Sequence, residues 1–419
     1  MAGKKKAGDK EAAAKQRKEA KAAKQATKAS KTAVKRAVKA GDEAEVEDSI
    51  EVIMASLACE DAKKTAVHVS TVERPSARAN ASVNVLPSGE MIVFGGEFWD
   101  GAVNVCYNEL YRCNPAKGEW SLITSPNTPP RRCSHQAALV SMGANYQLYV
   151  NGGEFATNLQ FYHYADTWRL DLATNKWTRV ESKKAPSARS GHRMIAWRNY
   201  LVLFGGFYQA FTMDTWKRDL WIMDTRTGEW KEIVLPVTAQ QPSARSGMQF
   251  HLVPGRDMAI MYGGYSEIKG GDAGASSSAA PAKGGKVTAA AAAAAMLGRK
   301  VKSVVHTDMW VLRLTPVLTG GLPTWERVRY VGTPPTPRLG FGMAMYKDRA
   351  ILFGGVSDAE ENERGENIVS QFHGDMFSYD VDRRRWFGLE LKKAKAAGGR
   401  RADKKKGARA GGGKDASAD

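Results

Sequence analysis

Five Gly-Gly pairs, each closing a short apolar run, constrain this chain more than any other feature. MIVFGG ends at Gly96, QLYVNGG at Gly153, LVLFGG at Gly206, AIMYGG at Gly264 and ILFGG at Gly355. The first glycines stand at 95, 152, 205, 263 and 354, so the intervals are 57, 53, 58 and 91 residues. The long interval carries the low-complexity stretch SEIKGGDAGASSSAAPAKGGKVTAAAAAAAMLGRK. Removing its roughly 35–40 residues restores a period of about 50, the signature of one structural unit copied along the chain.

Each unit also opens on a Pro-x-x-Arg element: PSAR to Arg78, PPRR to Arg132, PSAR to Arg189, PSAR to Arg245 and PTPR to Arg338. Four units close on a hairpin whose second strand starts at a tryptophan: YRCNPAKGEW, WRLDLATNKW, WIMDTRTGEW and FSYDVDRRRW. Tyr111, Trp168, Trp221 and Phe377 stand nine residues before Trp120, Trp177, Trp230 and Trp386. Period-two alternation puts residues nine and seven before the tryptophan on one strand face, and the intervening Asp, Asn and Gly supply turn chemistry. The fourth unit keeps Trp310 and Trp325 but lengthens the turn with TPVLTGGLP. Each unit therefore reads as a four-stranded antiparallel sheet, and five such sheets around an axis make an all-β propeller. The glycine pairs and tryptophans are read as packing residues, because glycine lets backbones approach at the crowded end of a strand.

Together these motifs resemble the kelch family of β-propellers. Connecting blocks such as FGGEFWDGAVNVCYNELYRCN, PPRRCSHQAALV, GGEFATNLQFYHYADTW, RSGHRMIAWRNYLVLFGGF and FGGVSDAEE narrow the likeness to one group within it, over residues 42–391. The resemblance implies a non-catalytic interaction scaffold, with basic ends and a helix before the first repeat. It also implies a further repeat after a charged low-complexity linker, whereas this sequence ends within such a linker at Asp419. Five recognisable repeats thus leave six-blade closure open, and VHVSTVE at Val67–Glu73 is the strand expected to complete the last sheet in a five-blade ring.

Charge divides the chain into parts. The formal net charge of +18 lies wholly in the two ends, +11 in residues 1–40 and +7 in residues 392–419, while the 38 basic and 38 acidic residues of 41–391 cancel. A wholly basic nucleic-acid-binding domain is disfavoured. The expected organisation is a basic disordered tail at 1–41, a short amphipathic helix and lead-in at 42–66, the propeller at 67–391, and a second basic disordered tail at 392–419. Within the propeller the repeats cover approximately 75–125, 129–182, 186–235, 242–330 and 334–391, with a disordered insert at 266–303. Four irregularly spaced cysteines (Cys59, Cys106, Cys113 and Cys133) give no disulfide framework or paired zinc motif. No apolar run approaches the ~20 residues of a membrane span, and no secretory signal is present, so an intracellular site, cytoplasmic or nuclear, is expected.

Three groups of candidate site residues follow. Phe161, Tyr162, His163, Tyr164, Tyr208 and Phe211 fall in connections between blade strands, and clustered aromatics there read as a protein-binding rim. Arg78, Arg132, Arg189, Arg245 and Arg338 would form a ring, paired locally with acids or strand carbonyls or else open to a ligand. Lys4, Lys5, Lys6 and Lys404, Lys405, Lys406 suit targeting or contact with a polyanion such as RNA. A short helix between Glu47 and Ala62 is expected, capped by Asp48 and Ser49, with Ile50, Ile53, Met54 and Leu57 docking on the propeller or recruiting another protein. The acidic SDAEENERGEN loop from Ser357 offers an opposite electrostatic pole.

The seven histidines scatter, and no HExxH, GxSxG, Walker loop or CxxC occurs. No catalytic residue, metal ligand, cofactor or small-molecule substrate is therefore assigned. The expected function is a kelch-repeat scaffold with an unidentified protein partner. The alternatives are an RNA- or ribosome-particle-associated factor whose tails dominate binding and, more distantly, a metal-dependent propeller enzyme.

Overall fold

The computed structural model describes residues 49–158, 160–209, 214–269, 301–360 and 368–390. Helix α1 (Ile50–Asp61) and strand β1 (His68–Val72) lead in. Blade 1 is β2 (Ser82–Val85), β3 (Met91–Phe94), β6 (Leu110–Asn114) and β7 (Glu119–Thr124), interrupted after β3 by the small hairpin β4 (Glu97–Trp99) and β5 (Asn104–Cys106). Blade 2 repeats this plan with β8 (Gln136–Met142), β9 (Asn145–Asn151), hairpin β10 (Glu154–Ala156) and β11 (Phe161–His163), then β12 (Thr167–Asp171) and β13 (Lys176–Val180). In blade 3 the hairpin is continuous with the second and third strands: β14 (Arg193–Trp197), β15 (Tyr200–Gln209), β16 (Asp214–Asp224) and β17 (Glu229–Glu232), with a bulge between Phe204 and Gly206.

Blade 4 comprises β18 (Gln249–Leu252), β19 (Met258–Tyr262), hairpin β20 (Tyr265–Lys269) and β21 (Val301–Val305), β22 (Met309–Arg313) and β23 (Thr324–Val328). The lengthened turn read from TPVLTGGLP is a short 3-10 helix at Thr315–Thr319. Blade 5 follows β24 (Val331–Gly332) with β25 (Gly342–Tyr346), β26 (Arg349–Phe353), hairpin β27 (Val356–Glu360) and β28 (Ile368–Phe372), β29 (Met376–Asp380) and β30 (Arg385–Leu389). Each blade is a four-stranded antiparallel meander, and the first strands of successive blades touch one another near the axis. The result is a five-bladed propeller.

Blade faces alternate as the sequence pattern requires. In blade 3, Met194, Leu201, Leu203, Trp221 and Met223 pack on Ala138, Val140 and Tyr149 of blade 2. Phe204, Ile222 and Trp197 of the same sheet pack the other way, on Phe250, Met261 and Leu312 of blade 4. In blades 2 to 5 the hairpin tryptophan faces the preceding blade, and in blades 1, 3 and 4 the aromatic before Gly-Gly faces the following one. Their rings meet across three joints: Phe94 and Trp177 at 5.0 Å, Phe204 and Trp325 at 5.2 Å, Tyr262 and Trp386 at 5.0 Å. At the fourth joint Asn151 replaces the aromatic, and it binds Thr167, to which the Trp230 indole also donates.

Four expectations are corrected. Strand β1 does not complete the last sheet: it pairs antiparallel with β7, His68 against Thr124, covering the outer edge of blade 1. The outer edge of blade 1 belongs to the sheet that the chain enters directly after β1, and covering it removes an open row of backbone groups. Helix α1 starts at Ile50 with Ser49 at its N-cap, but neither Asp48, which lies outside the described residues, nor Ser49 is seen to cap it: Ser49 makes no capping hydrogen bond, and the first helical N–H, of Ile50, donates to Gln160 Oε1 at 3.2 Å. The insert is narrower than expected, since Ser266–Lys269 and Val301–Ser303 belong to β20 and β21, and only 270–300 lie outside the described residues. Phe161, Tyr162 and His163 are not loop residues: they form β11. The two tails lie outside the described residues, and so do positions 361–367 of the acidic loop, whose flanks are β27 and β28. No helix among the described residues is long and apolar enough to cross a membrane.

Candidate functional site

All five small hairpins leave their blades directly after Gly-Gly and therefore rise from one face of the propeller. Each is strapped down by a two-way backbone bridge to the segment after the repeat-opening arginine: Ala79 with Glu97, Cys133 with Glu154, Ser190 with Phe207, Ser246 with Tyr265 and Leu339 with Val356. The bridge is close enough that a Cβ on Gly153, which sits at φ +93°, would stand 2.6 Å from the carbonyl oxygen of Cys133. Glycine is the residue that satisfies both demands.

The five arginines lie beneath this face and are locked in place. In blade 3 the Arg189 guanidinium donates to both oxygens of Asp219 at 2.7 Å, to Gly205 O at 2.9 Å, and to Ser187 O and Oγ. Arg132 with Asp166, Arg245 with Asp308 and Arg338 with Asp375 repeat the fork, and each also donates to the carbonyl of the first glycine. Arg78 uses Glu109 and Gly95 O. Burial opposes ionisation of Asp166, Asp219 and Asp308, but the arginine's hydrogen bonds and charge outweigh it and hold each pKa below the usual carboxylate range. With their donors consumed, the arginines form internal clamps and present no open ring to a ligand. The acids were legible in the sequence: each stands two residues before the blade aromatic, in ELY, DTW, DLW, DMW and DMF. In three blades the indole of that aromatic donates to the same acid at 2.7 Å.

The rim residues separate into two groups. Phe161 and Tyr162 are 50% and 42% exposed, whereas His163 and Tyr164 are buried. His163 accepts a hydrogen bond from Gln209 N–H and packs edge-on against Phe207, tying the hairpins of blades 2 and 3 together. Burial, helped by the charge of Lys217, pushes its pKa down to about 4, so the ring is neutral at physiological pH. Tyr164 donates to Arg131 O, and the Arg132 guanidinium lies 4.1 Å from its ring centre. Tyr208 is half-buried against His163, and Phe211 lies outside the described residues. Lys4, Lys5, Lys6, Lys404, Lys405 and Lys406 also lie outside them.

Residues that were not singled out in the sequence complete the patch. Phe98 and Trp99, the latter 56% exposed, stand on the hairpin of blade 1 beside that of blade 2, with Val103 exposed in its turn. The two turns are hydrogen-bonded together: Asn104 N–H donates to Asn158 Oδ1 at 3.1 Å, and Asn158 Nδ2 donates to Ala102 O at 2.8 Å. Asp100 Oδ1 accepts from Ala102 and Val103 N–H, and the Val103 bond foremost holds its carboxyl below the ordinary range. A cleft of about 630 Å³ runs between the hairpins, lined by Arg78, Glu97, Phe98, Trp99, Asn104 and Asn158. The signal for these residues was FGGEFWDG, an aromatic pair on the first strand of the blade 1 hairpin, where blade 2 has Phe155 and Ala156 and carries its exposed pair on the second strand instead.

Helix α1 borders the same face. Ile50, with Ile53, Met54 and Leu57 packed alongside, covers Cys106, Cys133, Phe155 and Tyr164, and Asp61 accepts from Asn108 Nδ2 at 2.8 Å. Between helix and blade 2 a second cleft of about 300 Å³ is lined by Met54, Leu57, Arg131, Phe155, Tyr164 and Trp168. Among the described residues no group of three His, Cys, Asp or Glu side chains is placed to hold a metal ion.

Comparison with known proteins gives the following. A family model described as the KLHDC2/KLHL20/DRC7 Kelch-repeats domain matches residues 86–274. Kelch domain-containing protein 3 of Mus musculus is 25% identical over 324 residues, covering 73% of this chain and 71% of that protein. Acyl-CoA-binding domain-containing protein 5 of Arabidopsis thaliana is 25% identical over 255 residues, covering 58% of this chain. Kelch domain-containing protein 1 of Mus musculus is 24% identical over 218 residues, covering 49% of this chain and 44% of that protein. The match spans only 31% of the length of the Arabidopsis protein. These likenesses support the repeat family and not the narrower group within it.

Proposed function

We propose that this chain, a kelch-repeat β-propeller, is a non-catalytic scaffold that binds another protein through the hairpin face of blades 1 and 2. One observation carries the reading. Phe98, Trp99, Phe161 and Tyr162 stay exposed on two hairpins whose turns are hydrogen-bonded to each other, while neighbouring aromatics of the same segments are buried. Exposed aromatics on a pre-formed backbone contribute large contact area at small ordering cost, which is what an interface anchor needs. The basic ends, which hold the whole net charge, add localisation or electrostatic contact with a polyanion.

The test is affinity purification and mass spectrometry of the full chain beside the triple variant Trp99→Ser, Phe161→Ser, Tyr162→Ser, with nuclease and a salt series. The expected result is at least a ten-fold loss of a protein that survives nuclease and high salt from the wild-type chain. Exposed substitutions of this kind change stability by about 0.5 kcal/mol or less each, so the melting temperature should hardly move. Unchanged recovery from a folded variant removes the patch. Recovery that collapses with nuclease assigns the interaction to the charged ends instead.

A further inference from the structure

Cys106 and Cys133 meet beneath helix α1. Cys106 ends β5 in the blade 1 hairpin, and Cys133 lies in the segment that bridges the blade 2 hairpin at Glu154. Both side chains are buried, in the cluster covered by Ile50, Ile53, Met54 and Leu57 of the helix. Their sulfurs face one atom, the carbonyl oxygen of Glu154, at 4.0 Å from Cys106 Sγ and 3.5 Å from Cys133 Sγ. The Cys133 thiol is also within hydrogen-bond reach of Cys106, and that contact, ahead of burial, drives its pKa far above the ordinary thiol value. The repeat does not ask for sulfur at either place. Ala79, Ser190, Ser246 and Leu339 stand where Cys133 does, and His163, Trp216, Val305 and Phe372 stand three residues before the blade acid, where Cys106 does.

The cover over the two thiols is slight. Helix α1 has 12 residues, a length at which an isolated helix is marginal in water, so its order depends on docking. Besides its apolar contacts it is held by Ile50 N–H on Gln160 Oε1 at 3.2 Å, by Asn108 Nδ2 on Asp61 at 2.8 Å, and by Glu60 with Arg131 at 3.7 Å. Elements with few buried contacts are the ones that open locally without global unfolding. A cysteine reacts as its thiolate, so while the helix is docked Cys133 is protonated, covered and inert.

We propose that Cys106 and Cys133 are a redox-sensitive site, closed to a disulfide by hydrogen peroxide when helix α1 lifts. One sulfur, as thiolate, attacks an oxygen of the peroxide: an S–O bond forms, the O–O bond breaks, and the departing hydroxide takes up the thiol proton as water. The second sulfur then attacks the sulfenic sulfur, so that the S–S bond forms, the S–O bond breaks and a second water leaves. Two thiols and one hydrogen peroxide thus give one disulfide and two waters. The bridge joins the blade 1 hairpin to the strap of the blade 2 hairpin. It therefore holds together the two hairpins that carry Phe98, Trp99, Phe161 and Tyr162 whether or not the helix returns. The hairpin-face reading above does not depend on it.

The full chain carrying Cys59→Ser, which removes the exposed thiol of the helix, is treated with hydrogen peroxide, and free thiols and linked peptides are followed by mass spectrometry. The expected result is loss of both thiols with Cys106 joined to Cys133, and recovery of both with dithiothreitol. Cys113 is the internal control, since it is buried in β6 outside the cluster that the helix covers. Ile53→Ser with Leu57→Ser weakens the docked face of the helix and should speed the bridge roughly ten-fold or more, through the population of the open state, while Cys113 reacts no faster. Gln160→Ala, which removes the acceptor of Ile50 N–H, should move the rate the same way by a smaller factor. Three results overturn the proposal: peroxide that leaves Cys106 and Cys133 unlinked in the helix variant, as free thiols or as sulfinic acids, which would show that the sulfurs do not meet; equal rates in the helix variant and its parent, which would mean that the thiols are reached with the helix in place; and a gain at Cys113 equal to that at the other two, which would mean that the bridge forms only when the blade unfolds.

Discussion

Arg189→Ala is expected to lower the unfolding free energy by about 3–5 kcal/mol, the range for removing one member of a buried, hydrogen-bonded ion pair. The side chain is fully buried and every donor of its fork is used, so alanine leaves the Asp219 carboxylate, Gly205 O and Ser187 O without their partner. Asp219 retains only the Trp221 indole on Oδ2. Arg189→Lys should recover little, because an ammonium cannot reach two carboxylate oxygens and a carbonyl in one plane. Arg78→Ala, in the first blade, should cost less, about 1–2 kcal/mol, because its partner Glu109 is more exposed and water replaces part of what is lost. Urea unfolding followed by tryptophan fluorescence measures all three. Equal losses at Arg189 and Arg78 would show that burial of the acid does not set the energy of the clamp.

The contrast between those arginines marks what the sequence made legible. Period, hairpins and alternation gave the apolar strand before each Gly-Gly and the closing hairpin, because they depend on local turn chemistry and on the two-residue pleat, whereas the small hairpins after Gly-Gly were not read. The arginines were equally visible, and their pairing with acids or strand carbonyls was expected; which acids they take was not read, because Arg189 and Asp219 are 30 residues apart and meet only through the fold. Strand β1 was assigned to the wrong sheet for a related reason. A five-residue strand carries no mark of which edge it covers, and the choice between blade 1 and blade 5 is made by chain length and an available edge.

Exposure was the least legible property. In NLQFYHYADTW, Phe161 and Tyr162 face solvent while His163 and Tyr164 are buried, although all four are aromatic and adjacent. The difference arises from the contact of this hairpin with helix α1 on one side and with the blade 3 hairpin on the other. Phe353 shows the same limit from the opposite direction. Its ILFGG motif matches those of the buried aromatics, yet it stands in solvent with no blade packed on it among the described residues.

Mild acid should destabilise the propeller well before its aspartates titrate. Burial depresses the pKa of His135 to about 3 and of His163, His251 and His306 to about 4, with the nearby Arg132, Lys217, Arg193 and Arg245 charges adding to it. His192 is also held far below the ordinary value, first by burial and then by Arg189. The unfolded chain protonates its histidines near pH 6.5. Between there and pH 4 it therefore binds protons that the folded state refuses, and stability falls with pH by as much as ~1.4 kcal/mol per unit for each ring. Loss of the aspartate clamps, whose folded pKa values are also depressed, follows only below about pH 4.

His192 is the most informative ring to replace, because neither of its nitrogens has a hydrogen-bond partner among the described residues. Blade 4 shows what fits: Met248 stands at the equivalent position, three residues after the arginine, fully buried against Gly205. His192→Met should be at least as stable as wild type at pH 7, since a buried unpaired polar group costs about 1–3 kcal/mol. Its melting temperature should then decline less steeply than wild type between pH 6.5 and 4.5. Parallel slopes would mean that His192 takes up its proton in the folded state, and that the unpaired nitrogens are reached by water.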